Sequence, residues 1–301
     1  MIFFLRTKTS MKAAIVFTFG FLILFNAQSS AAQTTNKLAR SVTIYRDAFG
    51  VPHIYGRDDA SVVFGLMYAQ AEDNFWQLEE DHINKLGRAA EIYGQSRLAG
   101  DLTARLFETN KRARDEYKNL SQPMRKLCDA YAAGINYYLE RHLAVRPRLI
   151  NRFEPWFALV TGAPSPQSVG ITAEEMRALF KELPAMPSPS PSPGASAEEG
   201  EEGSNMWAVS PKKSASGRAL LFINPHVGFF GGGQRYEAHL HSKQGLNISG
   251  FAMLGSPYIW SGHNEVLGWS HTNTGADSTD VFIETFDNPQ NPDFAGCRKF
   301  R

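Results

Sequence analysis

The chemistry-bearing position that stands out is the junction between Gly203 and Ser204. Before it lies PAMPSPSPSPGASAEEGEEG (184–203), built from Pro, Ser, Gly, Ala and Glu with a single Met; after it the apolar run SNMWAV begins abruptly. Such a stretch cannot build a core, and reads as an exposed, solvated spacer. An internal serine is a poor nucleophile and needs a neighbouring base. A serine at a chain terminus carries its own, because an α-amine titrates near a pKa of about 8 and reaches the hydroxyl directly or through one water. Cleavage between Gly203 and Ser204 would create that residue. Gly203 has no side chain to hinder approach to its carbonyl, so a self-cleaving N→O acyl shift is sterically open. A flexible linker between two ordinary domains has the same composition and is the competing reading.

Other residues offer weaker chemistry. His239 and His241 form H-x-H on an expected strand, which places both rings on one face, but no third metal ligand follows at a usual spacing. His53 in GVPHI and Trp207 read as packing and hydrogen-bonding residues, and His263 in GHN as a turn residue. NIS (247–249) fits a glycosylation triplet. Cys128 and Cys297 are the only two cysteines; they allow one bridge or two free thiols, not a disulfide framework. With 31 basic and 30 acidic residues among 301, the charge balance suggests no nucleic-acid partner.

Several elements must position this chemistry. Arg6, Lys8 and Lys12 precede the apolar run AAIVFTFGFLILF (13–25), and QSSAAQ supplies small residues around a cleavage point near Ala32. That run is short for a membrane span of roughly 20 residues, so residues 1–32 read as a signal peptide. The mature chain is then expected to be periplasmic or secreted, with no membrane association after removal of that segment. SVTIYRDAFGVPHIYG (41–56) reads as two short strands about a turn at Gly50 and Pro52. From Asp59 to Tyr93 the period is helical, with Phe64, Met67, Tyr68, Ala71, Phe75 and Leu78 on one face, an N-cap at Asp58 or Asp59 and a stop at Gly94. Residues 102–143 and 171–183 also read as helical. Beyond Ser204, short runs separated by Gly, Pro and Asn predict an antiparallel sheet. The order is a helical region (33–183), a spacer (184–203) and a β region (204–301).

The motifs after the spacer, GSNMW (203–207), INPH (223–226), GHN (262–264), LGWSHTN (267–273) and DSTDVF (277–282), resemble the start of the β chain of the penicillin acylase family. YRDAFGVPHIYG (45–56), FGLMYAQAEDNFWQLE (64–79), LGRAAEIYG (86–94) and FEPW (153–156) resemble its α chain. Members of that family are N-terminal-nucleophile hydrolases that excise a spacer from one precursor to give α and β chains. The resemblance implies an α+β class, an αββα sandwich carrying a helical α-chain region. It also implies a small-molecule N-acyl substrate, such as a penicillin-type amide, an acyl-homoserine lactone or an acyl-peptide, and no organic cofactor.

Carried over by position, Ser204 is the nucleophile, His226 lines it, and the backbone N–H of Asn273 is one oxyanion donor, worth typically about 3 kcal/mol in the transition state. Val227, Phe229, Phe251 and His271 are the implied pocket residues. Asp277, Asp280 and the carbonyl of Thr279, with Glu174 from the earlier region, match a structural calcium site whose hard oxygen ligands suit that ion; an Asx turn is the plainer reading of the two aspartates. The family's β chain runs far beyond Arg301, and its second oxyanion donor and an arginine lie in that part. The expectation is therefore a truncated β region and an incomplete sandwich, with an inactive remnant or non-catalytic ligand-binding protein as the alternative.

Overall fold

The computed structural model describes residues 35–160, 203–229 and 234–272. The expected pair of short strands is present as β1 (Val42–Arg46) and β2 (Pro52–Gly56), an antiparallel hairpin. Its turn is made by Asp47, whose Oδ1 accepts the amides of Phe49 and Val51 at 2.9 Å each, the short-range bonding that suits Asp to turns. On β2, Ile54 is buried while His53 and Tyr55 point to the opposite face.

Helix α1 (Asp59–Lys85) starts where the sequence predicts. Asp58 is its N-cap and accepts the Ser61 amide at 2.9 Å, satisfying one of the helix's orphan donors. Its buried face includes Phe64, Met67, Ala71, Phe75 and Leu78. Asn74 leaves helical geometry (φ −144°, ψ 44°), which kinks the helix. The expected run to Gly94 ends instead at Lys85. Asp101, itself buried, captures the amides of Ala89 and Ala90 at 2.9 and 2.7 Å, and a separate short helix, α2 (Ala90–Tyr93), begins there.

The helical stretch expected over 102–143 is likewise divided, into α3 (Leu98–Leu106), α4 (Thr109–Asn119) and α5 (Gln122–Arg141). The break before α5 follows from Pro123, which is welcome in a helix's first turn but not within its body. Between the two helices Leu120, the C-cap of α4, is extended at φ −61°, ψ 147°. Helices α1 and α5 pack closely because Gly134 lies at their crossing. A Cβ there would fall 2.4 Å from the Phe64 carbonyl oxygen. Phe64, Leu66, Met67, Tyr131, Ile135 and Phe153 fill this core, each large apolar side chain contributing about 1.5–3 kcal/mol by burial.

The sheet corrects one expectation. Strands β5 (Arg235–Ser242), β6 (Asn247–Met253), β7 (Ser261–His263) and β8 (Gly268–Trp269) run antiparallel, but β2 joins β5 in parallel. The order is β1-β2-β5-β6-β7-β8, so the hairpin from the helical region supplies two strands of the sheet. Tyr236, Ala238, Leu240 and Ser242 of β5 are buried, whereas Arg235, Glu237, His239 and His241 alternate onto the other face. Polar bonds sew the seam: Tyr236 donates to Asp73 at 2.6 Å, Ser242 to Asp59 at 2.5 Å, and the buried Gln70 amide bonds both Gly255 N–H (2.7 Å) and Ser256 O (3.0 Å). Strands β3 (Ser204–Val209) and β4 (Leu220–Pro225) form a separate antiparallel pair, with Trp207 stacked on Phe222 at 4.8 Å. The described part is thus a mixed structure of helices and a largely antiparallel sheet.

Candidate active site

Ser204 is the first residue of β3, and its position comes from the ladder with β4. The register pairs Ser204 with Pro225. Bonded and non-bonded pairs alternate along an antiparallel ladder. Ser204–Pro225 is a non-bonded pair, which tolerates proline's missing N–H, and the next pair closes the ladder: His226 N–H donates to the Gly203 carbonyl oxygen at 3.1 Å. Ser204 Oγ donates to that same oxygen at 2.5 Å. Two donors therefore meet on the carbonyl of the Gly203–Ser204 peptide bond. On the far side of Ser204, Thr272 Oγ1 donates to its carbonyl oxygen at 3.1 Å. Ser204 is partly buried by these neighbours, and His226 is exposed, its Nε2 accepting the Asn224 side-chain amide at 3.3 Å.

The other sequence-derived candidates are spread more widely. Phe251, on β6, lies under the Arg235 guanidinium at 5.8 Å, and its carbonyl accepts the Trp260 amide at 2.8 Å. Trp260 in turn faces the His271 ring at 4.7 Å, so Phe251 and His271 are linked through a tryptophan that the sequence reading did not single out. Val227 is 40% exposed and Phe229 90%, as residues of the segment leaving β4. Thr272 was likewise missed; its place beside Asn273 in SHTN was the available signal. Asn273, Asp277, Thr279, Asp280 and Glu174 lie outside the described residues, as does Cys297. His263 sits in β7, and the turn after it is held instead by Asn264, whose Oδ1 accepts the amides of Val266 and Leu267 at 2.9 and 2.7 Å.

A hydroxyl, a polarised peptide carbonyl and a backbone donor in one place constitute the parts of an acyl-transfer centre. The penicillin amidase family's sequence pattern matches residues 41–301, and the chain belongs to that family of N-terminal-nucleophile hydrolases. It is 29% identical over 287 residues to an acyl-homoserine lactone acylase of Pseudomonas savastanoi pv. phaseolicola, covering 84% of this chain and 35% of that protein. It is 26% identical over 299 residues to penicillin acylase 2 proenzyme of Pseudomonas sp. (strain SE83), covering 83% and 38%. A thermostable penicillin G acylase from Alcaligenes faecalis superposes with a TM-score of 0.38 at 22% identity, over 51% of this chain and 98% of that one. The chain thus spans little more than a third of the length of the curated relatives it matches.

Proposed function

We propose that Ser204 becomes the N-terminal nucleophile of an exported acylase that hydrolyses the amide bond of N-acyl compounds. The observation carrying this reading is the pair of donors, His226 N–H and Ser204 Oγ–H, on the Gly203 carbonyl oxygen. In the precursor, Ser204 Oγ loses its proton and bonds to the Gly203 carbonyl carbon. The C–N bond to Ser204 breaks, its nitrogen takes up a proton, and an ester replaces the amide. The His226 amide stabilises the negative charge that builds on the oxygen meanwhile. Water then hydrolyses the ester, leaving a Gly203 carboxylate and a free Ser204 amine.

The freed amine serves as the base of the mature site. It takes the Oγ proton as Oγ attacks the substrate carbonyl and returns it to the departing amine. A water activated in the same way releases the acid from the acyl-enzyme. The backbone N–H of Asn273, the residue after Thr272, is the proposed oxyanion donor. The relatives' names put acyl-homoserine lactones and penicillins forward as substrates, both of which present an N-acyl amide. The test is the release of free amine from each of these by the exported protein and by Ser204→Ala. A loss of at least a thousandfold in the variant is expected; equal rates in both proteins would remove Ser204 from the mechanism.

A further inference from the structure

The ladder between β3 and β4 leaves Ser204 with no backbone hold of its own on β4. In an antiparallel pair, bonded residues turn both N–H and C=O toward each other, and non-bonded residues turn both away. Gly203 and His226 are bonded, Ser204 and Pro225 are not, and Asn205 with Asn224 is the next bonded pair. The Gly203 carbonyl therefore points to β4. The N–H and C=O of Ser204 both point off the other edge of β3. Thr272 stands at that edge, its Oγ1 donating to the Ser204 carbonyl oxygen at 3.1 Å.

Loss of Gly203 changes what holds Ser204. The bond from His226 N–H leaves with the Gly203 carboxylate, and the first ladder bond of the new chain falls to Asn205. A chain end is poorly ordered unless it is tied down. For a nucleophile, a misplacement of about 1 Å can cost on the order of 100-fold in rate. The Thr272 bond is made to the carbonyl of Ser204 itself, so it survives cleavage. The freed α-amine emerges on the same edge as that carbonyl, and so on the side of the Thr272 hydroxyl. A hydroxyl donates once and accepts through its lone pairs. It can therefore donate to the Ser204 carbonyl oxygen and accept from the Ser204 amine together.

We infer that Thr272 is a positioning residue, whose hydroxyl anchors the Ser204 carbonyl and orients the freed Ser204 α-amine. The inference rests on the reading of Ser204 as an N-terminal nucleophile, and adds the group that fixes its base. An oxygen acceptor binds an ammonium more strongly than a neutral amine, so Thr272 favours the protonated form. Loss of the hydroxyl then moves the amine's titration to lower pH. One hydrogen bond corresponds to a shift of roughly half a unit to one unit.

The test compares the full-length protein with Thr272→Val, which keeps the shape without the hydroxyl, and with Thr272→Ser, which restores it. The titration of the Ser204 amine is read without turnover, from the pH dependence of its labelling by acetic anhydride, mapped by mass. Amine release from N-decanoyl-homoserine lactone gives kcat and KM in parallel. In Thr272→Val the labelling midpoint is expected to fall by roughly half a unit to one unit. Its kcat is expected to drop about tenfold with KM within about twofold, and Thr272→Ser to restore both. A merely structural role would lower the urea midpoint and leave the amine's titration in place. An unshifted labelling midpoint in Thr272→Val overturns the inference and leaves Ser204 as the nucleophile. An unaltered protein that stays whole at Gly203–Ser204 overturns the Ser204 reading, and the role of Thr272 with it. Thr272 is exposed, so its replacement opens no core cavity, and Thr272→Ala is expected to repeat the shift.

Discussion

The backbone N–H of His226 and the carbonyl oxygen of Gly203 are 3.1 Å apart. That contact follows from the alternation of an antiparallel ladder: Ser204 and Pro225 face each other as a non-hydrogen-bonded pair, and the adjoining pair, Gly203 and His226, carries the bond. A backbone donor is thus aimed at the bond that the family's chemistry would cut, whatever side chain residue 226 carries. His226→Ala is therefore expected to leave cleavage within about tenfold of normal, since the amide survives. Complete loss of cleavage would show that the ring, not the backbone, does the work. Cleavage is read as the fraction of chain cut over time.

Cleavage should not separate the products. Strand β2 pairs with β5, and Tyr236–Asp73, Ser242–Asp59 and Gln70–Gly255 bonds cross the same seam. The two fragments are expected to co-elute in native size-exclusion chromatography and to part only in denaturant. Separate elution in native buffer would contradict this seam.

Glu79 is fully buried, and its carboxylate accepts the amides of Arg148, Leu149 and Ile150 at 3.1, 2.9 and 3.0 Å, tying the segment after α5 to α1. Glu79→Ala strands these donors and should cost about 3 kcal/mol in urea unfolding, with Glu79→Gln costing less. A loss under 1 kcal/mol for Glu79→Ala would show that water replaces the carboxylate.

His82 is buried, and desolvation holds its pKa below the ordinary 6.5, outweighing the pull of Asp81 in the other direction. The folded state therefore prefers the neutral ring, while the unfolded chain takes up a proton below about pH 6.5. Stability from this group is present above 6.5 and is lost as pH falls through the lowered value. The urea midpoint should drop on acidification, and less steeply in His82→Gln. Equal slopes would assign the drop to other groups.

Cys128 is buried, and burial, followed by Asp129 and Glu116, pushes its thiol up to about 11. Thiolate is the reactive form. Alkylation of Cys128 by iodoacetamide at pH 8, followed by peptide mapping, should run roughly 100-fold slower in the native protein than in urea. Comparable rates would show that the α5 core opens readily.

The sequence showed the β1–β2 hairpin, the start of α1 and the candidate nucleophile because each depends on local signals: Gly50 and Pro52, the Asp58 cap, the spacer ending at Gly203. It did not show where α1 ends, because that depends on Asp101 reaching back to Ala89 and Ala90. Nor did it show the parallel β2–β5 pairing, which joins residues 186 apart such as His53 and His239. Of the site, Ser204 and His226 were legible as motif positions. The amide contact to Gly203 and the Thr272 hydroxyl were not, since both depend on strand register and on how the chain returns to Ser204.

The central claim is that the Gly203–Ser204 bond cuts itself. The most direct test is the intact mass, under denaturing conditions, of the full-length protein and of its Ser204→Ala variant. The account predicts two fragments from the unaltered chain, the later one beginning at Ser204, and a single uncut chain from the variant. An unaltered chain that stays whole, or a variant that is cut at the same bond, would contradict it.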